Sequence, residues 1–239
     1  PQPRQAEFMR RPEPEALYGG AAGGGKSDAL VIEALRQVHI PHYRGLILRK
    51  TYPQLSDLVD KSMAYYKRAF PTAQYNATSH VWVFPSGAKI YFGSMQYTKD
   101  RTNYQGKAYD FIGFDELTHF TRKQFLYMLS RNRTTCGIRP YVRATCNPDA
   151  DSWVADFISW WIDQETGYPI PERSGLVRYM CVLNDTIYFA DTAEKLAEEH
   201  DIPIEQCKSV TFIASRLQDN KVLMESCLLY TSPSPRDCS

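Results

Sequence analysis

The stretch LYGGAAGGGKSDAL, residues 17–30, decides how this chain folds, because it places five glycines within seven positions between an apolar run and a helix-like run. Glycine loses more backbone freedom on ordering than any other residue, so regular elements avoid it. A cluster of glycines is typical of a loop that brings bare backbone close to a ligand. The flanks predict a strand over residues 16–19 and a helix over residues 26–37.

The glycine cluster matches the pattern G-x-x-x-x-G-K-[ST] between that strand and that helix. In such a loop the backbone N–H groups surround phosphate oxygens, and the positive end of the helix dipole favours the same anion. We expect Lys26 to reach the β- and γ-phosphates of a nucleoside triphosphate and the Ser27 hydroxyl to bind Mg²⁺. The other predicted nucleotide-binding positions are Gly20, Ala21, Ala22, Gly23, Gly24 and Gly25. A flexible glycine turn without a ligand is the alternative, and the strand-loop-helix context argues against it.

The stretch DFIGFDE, residues 110–116, supplies the second element that a phosphate loop requires. An apolar strand ends there in two carboxylates. We expect Asp115 to hold the Mg²⁺ ion and Glu116 to polarise the attacking water. Apolar runs that end in Asp-Glu are common, so only the combination with the loop predicts hydrolysis of a nucleoside triphosphate.

The stretch ATCNP, residues 144–148, is the third element. A polar side chain at a strand end beside the triphosphate can respond to the γ-phosphate and move the residues that follow. Thr145 and Asn147 are the candidates for this coupling role. A strand that simply ends in Asn-Pro turn chemistry explains the stretch equally well.

Strand-like and helix-like segments alternate along the rest of the chain, which predicts an α/β fold with a mainly parallel sheet flanked by helices. Residues 80–93, HVWVFPSGAKIYFG, predict a β-hairpin insertion around a Pro-Ser-Gly turn. The further predicted strands are 45–50, 109–114, 141–146, 175–182 and 209–213, and the further predicted helices are 56–70, 121–130, 151–162 and 192–200.

The composition is that of a globular protein, with 239 residues, 43% hydrophobic residues and a formal net charge of +1. This charge predicts no strong long-range attraction to nucleic acid, although a local basic patch remains possible. Six cysteines without a C-x-x-C pair indicate reduced thiols rather than a disulfide framework. No apolar run is long enough to cross a bilayer, so we expect a soluble intracellular protein.

Both ends of the sequence are unusual. It begins with Pro1, so we expect a missing upstream piece. The stretch CLLYTSPSPRD from Cys227 to Asp237 resembles one translated reading frame of a sequencing adapter. We therefore expect one domain over residues 1–226 and a non-native segment over residues 227–239. A natural disordered tail is the alternative.

The three motifs, with LILRKTYPQL (residues 46–55) and SRLQDN (residues 215–220), resemble the ATPase domain of the large subunit of tailed-phage terminases. The resemblance runs from about Gln5 to Glu225. It implies a P-loop NTPase fold of the additional-strand, catalytic-glutamate (RecA-like) type that binds ATP and Mg²⁺. It also implies an ATPase motor that drives double-stranded viral DNA into a procapsid.

The same resemblance implies partners and a location. The partners are viral DNA, the portal protein, the small terminase subunit and other copies of this chain in a homo-oligomeric ring on the procapsid. The location is the cytoplasm of the infected bacterial host, with transient docking on the procapsid and no membrane association. The family's nuclease activity belongs to a C-terminal RNase H-like domain beyond Glu225, so we do not expect nuclease activity in this fragment.

The sequence departs from many family members inside the loop, where Ala21 and Ala22 stand at positions that carry an arginine in those relatives. Positive charge for the transition state must then come from elsewhere. Arg101 is a candidate arginine finger for a neighbouring subunit, and Arg49 is a candidate that acts within its own subunit. The resemblance also implies that Gln5 lies near adenine.

Other functions remain open from the sequence alone. A second possibility is another P-loop DNA-dependent ATPase such as a helicase, and a third is a nucleotide-gated assembly scaffold that moves no DNA. A basic stretch could track DNA phosphates or could be a solvated surface. Its members are Arg122, Lys123, Arg131, Arg133, Arg139 and Arg143.

Overall fold

The computed structural model describes residues 2–20, 25–147 and 151–215. The α-helices within these ranges are α1 Pro3–Arg10, α2 Lys26–Glu33, α3 Tyr52–Ala69, α4 Arg122–Leu129, α5 Trp153–Phe157 and α6 Ala193–His200. The strands are β1 Glu15–Gly20, β2 Arg44–Arg49, β3 Gln74–Asn76, β4 Val81–Val83, β5 Lys89–Ser94, β6 Phe111–Phe114, β7 Tyr141–Cys146, β8 Val177–Leu183, β9 Thr186–Ala190 and β10 Lys208–Ser215. The segment 227–239, predicted to be non-native, lies outside the described residues.

All of these strands form one sheet in the order β3-β4-β5-β2-β6-β7-β1-β10-β8-β9. The central strands from β5 to β10 pair in parallel, whereas pairing towards both edges is antiparallel. The predicted mainly parallel α/β architecture is therefore confirmed. Because parallel strands end on the same edge of a sheet, the glycine loop after β1 and the carboxylates after β6 lie on one edge, with only β7 between their strands.

The central strands are buried because helices cover both faces of the sheet. The apolar run of β6 is buried along its whole length. The helices α2 and α3 pack on one face against side chains of β2, and α4 and α5 pack on the other face. This sandwich explains why the interiors of β2 and β6 carry continuous apolar sequence rather than alternation.

The helices differ from the predicted ones in four places. The helix predicted over 26–37 is α-helical to Glu33 and continues as a 3-10 turn over Ala34–Gln37. The helix α3 begins at Tyr52 rather than Ser56, because Pro53 fits the first turn, where no N–H donor is needed. The helix predicted over 151–162 is divided into α5 and a 3-10 turn at Ser159–Trp161. The pattern does not predict α1, whose only buried side chains are those of Gln5 and Phe8. In the described part of the chain, no helix combines the length and the apolar composition needed to cross a bilayer.

The predicted hairpin is present as β4 and β5, joined by a turn in which Gly87 has φ 90°. Its second arm, β5, pairs in parallel with β2. The hairpin is thus part of the main sheet and not a separate subdomain. The short strands β3 and β9, which the sequence pattern does not predict, extend the two edges.

Candidate functional site

The carboxyl ends of β1, β2, β6 and β7 surround a cavity of about 340 Å³. Its lining comes from the end of the glycine loop, from α2 and α3, and from the carboxyl ends of β2, β6 and β7 with the residues just after them. The lining residues are Gly25, Lys26, Ser27, Asp28, Arg49, Gln54, Asp57, Leu58, Lys61, Asp115, Glu116, Thr145 and Asn147. The structure therefore brings together predicted site residues that are far apart in the sequence, from Gly25 to Asn147.

The Asp115 carboxylate is the centre of the site's hydrogen-bond network. The Ser27 hydroxyl lies 2.9 and 3.1 Å from its two oxygens, and the Thr145 hydroxyl donates to Oδ1 at 2.7 Å. The Arg49 guanidinium contacts Oδ2. The Asp115 side chain is almost fully buried, so these donors compensate for the water that the charged carboxylate gives up.

Glu116 adopts a left-handed backbone conformation, with φ 55° and ψ 66°. This conformation is costly for a residue with a side chain and is often found at functional sites. Its N–H donates to the Thr145 hydroxyl at 3.0 Å. Its Oε2 lies 3.0 Å from both Arg49 Nη2 and His119 Nδ1. The turn therefore aims the Glu116 carboxylate into the cavity instead of continuing the strand.

Lys26 is the first residue of α2, and its Nζ donates to the Gly20 carbonyl at 3.1 Å. Burial lowers the pKa of Lys26, and the nearby Cys146, Asp115 and Glu116 oppose this shift. A buried ammonium group gains when an anion replaces the water it has lost. Ala21, Ala22, Gly23 and Gly24 lie outside the described residues.

The two described ends of the loop explain why glycine is needed there. Gly20 has φ 138°, and a Cβ at this position would lie 1.8 Å from the Ser215 carbonyl oxygen. Gly25 has φ 65°, and a Cβ there would lie 2.4 Å from Gln5 Nε2. Gly20 therefore excludes a side chain through its conformation and through the close Ser215 backbone, whereas Gly25 excludes one through its conformation, since the Gln5 side chain can move.

Gln5 is held against the loop by a hydrogen bond from its Nε2 to the Gly25 carbonyl at 2.7 Å. It belongs to α1, the helix that the sequence pattern does not predict. The contact places Gln5 at the edge of the loop, and its role towards adenine stays a prediction.

The two candidate arginines occupy different places. Arg49, the last residue of β2, contacts both carboxylates of the site. Arg101 is not among the residues that line the cavity, and its guanidinium lies over the Tyr127 ring at 5.7 Å. Of these two arginines, Arg49 is the one positioned within the site of its own chain.

One face of α3 contributes residues that the sequence analysis does not assign. Gln54, Asp57 and Lys61 line the cavity. Lys61 Nζ lies 2.9 Å from the Asp28 carboxylate, so this pair joins α3 to α2. The spacing i, i+3, i+7 is a helical signal, but it becomes readable only when the helix starts at Tyr52, which includes Gln54.

The basic stretch of the sequence does not form one surface. Arg143 is only 1% exposed, and the interpretation as a solvated or DNA-tracking residue is wrong for this member. Arg133 and Arg139, by contrast, are exposed on the segment before β7. His119 contacts Glu116 and so lies beside the predicted catalytic carboxylate.

The donor set at the site fits Mg²⁺. Among the described residues no group of three or more His, Cys, Asp or Glu side chains could hold a metal ion. Mg²⁺ does not need such a group, since it usually binds through one or two carboxylates together with substrate phosphates and waters. The Ser27 hydroxyl and the Asp115 carboxylate, 2.9 Å apart, are oxygen ligands of this kind.

Residues 17–217 match the family model for the N-terminal part of the terminase large subunit, T4-like-virus type. This match covers the glycine loop, both carboxylates and the ATCNP stretch. A comparison with curated protein sequences finds no match.

The fold resembles solved structures of phage large terminases. The large terminase of a thermophilic bacteriophage has a TM-score of 0.60 at 11% identity, and the match covers 97% of this chain and 50% of that chain. The complex of the same terminase with ATP-γ-S has a TM-score of 0.57 at 12% identity, and the match covers 98% of this chain and 50% of that one. The large terminase ATPase domain of Thermus phage P74-26 has a TM-score of 0.60 at 14% identity, with 96% of this chain and 86% of that domain covered. The chain thus spans about half the length of the first of these proteins.

Proposed function

The chain belongs to the family of terminase large subunits, and from this premise we propose that it hydrolyses ATP to power the translocation of double-stranded viral DNA into a procapsid. One observation supports the hydrolytic part most directly. The Ser27 hydroxyl lies 2.9 Å from the Asp115 carboxylate, and Glu116 follows in a turn that faces the same cavity. The loop and the acidic strand end thus share one site.

The residues have distinct roles in the proposed reaction. The loop from Gly20 to Ser27 binds the phosphates of ATP, with Lys26 at the β- and γ-phosphates. Ser27 and Asp115 hold Mg²⁺, which when bound neutralises phosphate charge. Glu116 accepts a proton from the attacking water as the new bond to the γ-phosphorus forms and the bond to the leaving β-phosphate oxygen breaks.

Arg49 supplies the positive charge that the loop lacks in this chain. It contacts Asp115 and Glu116 at the edge of the cavity, from where its guanidinium would stabilise negative charge on the γ-phosphate. Arg101 remains our candidate for a finger that a second copy of the chain offers in a ring. Thr145 and Asn147 couple the site to the following segment, because the Thr145 hydroxyl bonds both to Asp115 and to the Glu116 N–H.

The specific binding partners and the cellular location are also part of this proposal. They are the portal protein, the small terminase subunit and a homo-oligomeric ring on the procapsid, in the cytoplasm of an infected bacterium. The structures of relatives with ADP and ATP-γ-S support a nucleotide in the site.

The test replaces Glu116 with Gln, which keeps the shape of the side chain and removes the base. We expect ATP turnover to fall by about 10²–10⁴-fold while ATP binding changes by less than about threefold, since a general base contributes to the barrier and not to binding. Phosphate release and fluorescent-nucleotide binding measure the two quantities, and Glu172→Gln on a remote turn is the control. Turnover at the parent rate would refute the role of Glu116.

The motor function needs a second measurement. Duplex DNA together with portal protein should stimulate turnover of the parent chain. Stimulation by single-stranded DNA alone would favour a helicase, and nucleotide binding without any DNA effect would favour an assembly scaffold.

A further inference from the structure

A second cavity, of about 370 Å³, lies at the amino ends of the central strands, opposite to the strand ends that form the first cavity. Its lining includes Arg44 and Lys89, the first residues of β2 and β5, which are paired neighbours in register. The lining also includes Tyr91, His42 and Thr135. Two cations therefore stand side by side at the mouth of one cavity.

The Arg44 guanidinium lies against two neighbouring tyrosine rings but has no anionic partner among the described residues. Its central carbon lies 5.3 Å from the Tyr91 ring centre and 5.7 Å from that of Tyr109. Its Nε is buried and donates to no acceptor in the described ranges of the chain. These two ring contacts restrict the guanidinium, which reduces the entropy that it loses when it binds an anion.

Lys89 is exposed, and its ammonium group forms no ion pair within the described ranges. The nearby carboxylate is that of Asp110, which is fully buried beneath the cavity. The Asp110 carboxylate accepts hydrogen bonds from the backbone N–H of Arg44 at 2.9 Å and from the backbone N–H of Thr135 at 2.6 Å. The Thr135 hydroxyl also contacts it. The carboxylate is thus occupied by these donors, and no acidic residue of the described chain lines the cavity itself.

The surroundings add further positive charge. Thr135 belongs to the segment before β7 on which Arg133 and Arg139 are exposed. The backbone N–H of Arg133 donates at 3.1 Å to the carbonyl of Tyr109, the residue whose ring lies 5.7 Å from the Arg44 guanidinium. The formal net charge of the chain is only +1, so this concentration of cations does not follow from its overall composition.

We propose that this cavity binds the phosphodiester backbone of duplex DNA, with Arg44 and Lys89 on one phosphate group. A guanidinium presents paired donors that match phosphate oxygens, and an ammonium group adds a point charge. Contacts of this type hold a duplex without reading its bases, as a translocating protein requires. The choice of DNA as the source of the phosphate rests on the proposed function.

The position of the cavity links DNA binding to the nucleotide site. The strand β2 begins at Arg44 in the cavity and ends at Arg49 in the nucleotide site. Its neighbour β6 follows Asp110 and leads into Asp115. Two adjacent, fully packed strands thus carry the residues of both sites at their two ends.

The experiment measures binding of a labelled duplex of about 30 base pairs to the whole 239-residue chain over a series of salt concentrations. The test variant combines Arg44→Gln with Lys89→Gln. The control combines Arg10→Gln with Lys195→Gln, which remove the same two charge types from exposed helical positions. We expect the test variant to bind DNA about tenfold or more weakly, with the slope of log affinity against log salt reduced by about 2, while the control stays within about twofold.

A second variant covers the case in which loss of Arg44 prevents folding. Lys89 is exposed, so Lys89→Glu leaves the packing intact, and we expect it to weaken DNA binding by several-fold or more. Turnover of ATP without DNA should equal that of the parent chain in every variant. If the parent chain shows no ATP turnover but the variants bind DNA more weakly than the parent, the result would refute the proposed function and support this inference.

Three results would overturn the inference. The first is DNA binding by both variants at the level of the control. The second is saturation of the cavity by millimolar inorganic phosphate, followed through resonances of Tyr91, while the duplex neither competes nor loses affinity in the variants. The third is competition by polyglutamate as effective as that of the duplex at equal charge and salt, which would identify an acidic protein as the occupant.

Discussion

Two arginine–carboxylate clusters lie on strands of the same sheet, and their surroundings differ. In the first, Arg49 is 15% exposed and contacts Asp115 and Glu116 at the edge of the nucleotide cavity. In the second, Arg143 is 1% exposed beside Glu33, which is 2% exposed, under the helices on one face of the sheet. The residue types are the same, but only the first cluster opens onto a cavity.

The difference shows which charges can change partner. Arg143 donates to the carbonyls of Glu13 and Val142 at 3.0 and 2.9 Å and to that of Arg11 at 2.7 Å. These bonds hold the guanidinium in place and fix the segment that leads into β1. Arg49 contacts two carboxylates at the edge of a cavity, so an ion or ligand that entered the cavity could exchange these contacts. The sealed cluster therefore stabilises the fold, and we assign the chemistry of the proposed function to the open cluster.

The largest effect that separates the two clusters is expected for Arg143→Leu. It leaves the Glu33 carboxylate with Arg36 alone and removes the donor for three backbone carbonyls. We expect a loss of about 3–5 kcal/mol in the free energy of unfolding, measured by urea denaturation. The KM for ATP of the fraction that remains folded should stay within about twofold. The control is Arg133→Leu, which replaces an exposed arginine from the same basic stretch. Equal free energies of unfolding for the two variants would contradict the stabilising role of the buried Arg143 cluster.

The next effect concerns Arg49→Gln in the open cluster. We expect kcat to fall by about 10²–10³-fold, the usual cost of removing one donor that stabilises transition-state charge. Mg²⁺ should raise the Tm of this variant more than that of the parent chain, because an ion bound by Asp115 would not compete there with the Arg49 guanidinium. Arg49→Lys should recover only part of kcat, since it keeps the charge and loses the planar donor pair. A parent-like kcat in Arg49→Gln would assign the missing charge to another residue, with Arg101 the next to test.

A smaller effect should appear in the pH dependence of stability. Burial raises the pKa of Glu33 to about 7, although Arg143 and Arg36 oppose the shift. The folded chain then holds a proton between about pH 4.5 and 7 that the unfolded chain has released, so stability falls as the pH rises through this window. We expect a loss of about 2 kcal/mol between about pH 5.5 and 7.5 that is absent in Glu33→Gln. Thermal unfolding across this range measures it, and identical slopes for the two proteins would contradict the assignment.

The smallest effect is expected for Gln5→Ala. Gln5 contacts the glycine loop, and its helix α1 leads into the segment whose carbonyls Arg143 binds. Loss of the bond to the Gly25 carbonyl should cost about 1 kcal/mol of stability. If Gln5 also contacts adenine, the KM for ATP will rise while that for GTP stays constant. A parallel rise of both values would restrict Gln5 to positioning the loop.

Most of the site's chemistry is visible in the sequence because it depends on neighbouring residues. The strand, the glycine loop and Lys26-Ser27 are adjacent, and so are the apolar strand and Asp115-Glu116. The polar residues at the end of β7 are also predicted, although both a coupling role and simple Asn-Pro turn chemistry explain them. The pairing of these motifs follows from parallel topology, which places all strand ends on one edge.

Residues that reach the site from a distance are not visible in this way. Gln54, Asp57 and Lys61 face the cavity because α3 packs against α2, and their order in the sequence carries no sign of that contact. The polar helix α1 forms through its packing on the sheet and its bond to the loop rather than through an apolar pattern of its own.

The sequence by itself determined the α/β class, the phosphate loop and the acidic pair, because each is encoded by local spacing of a few residue types. Only the tertiary structure decided which of several similar arginines lie at a cavity and which is buried. Arg143 is sealed, Arg49 faces the nucleotide cavity, and Arg44 stands at the opposite end of Arg49's own strand. Burial and the availability of a counter-charge separate these roles, and both depend on residues far away along the chain.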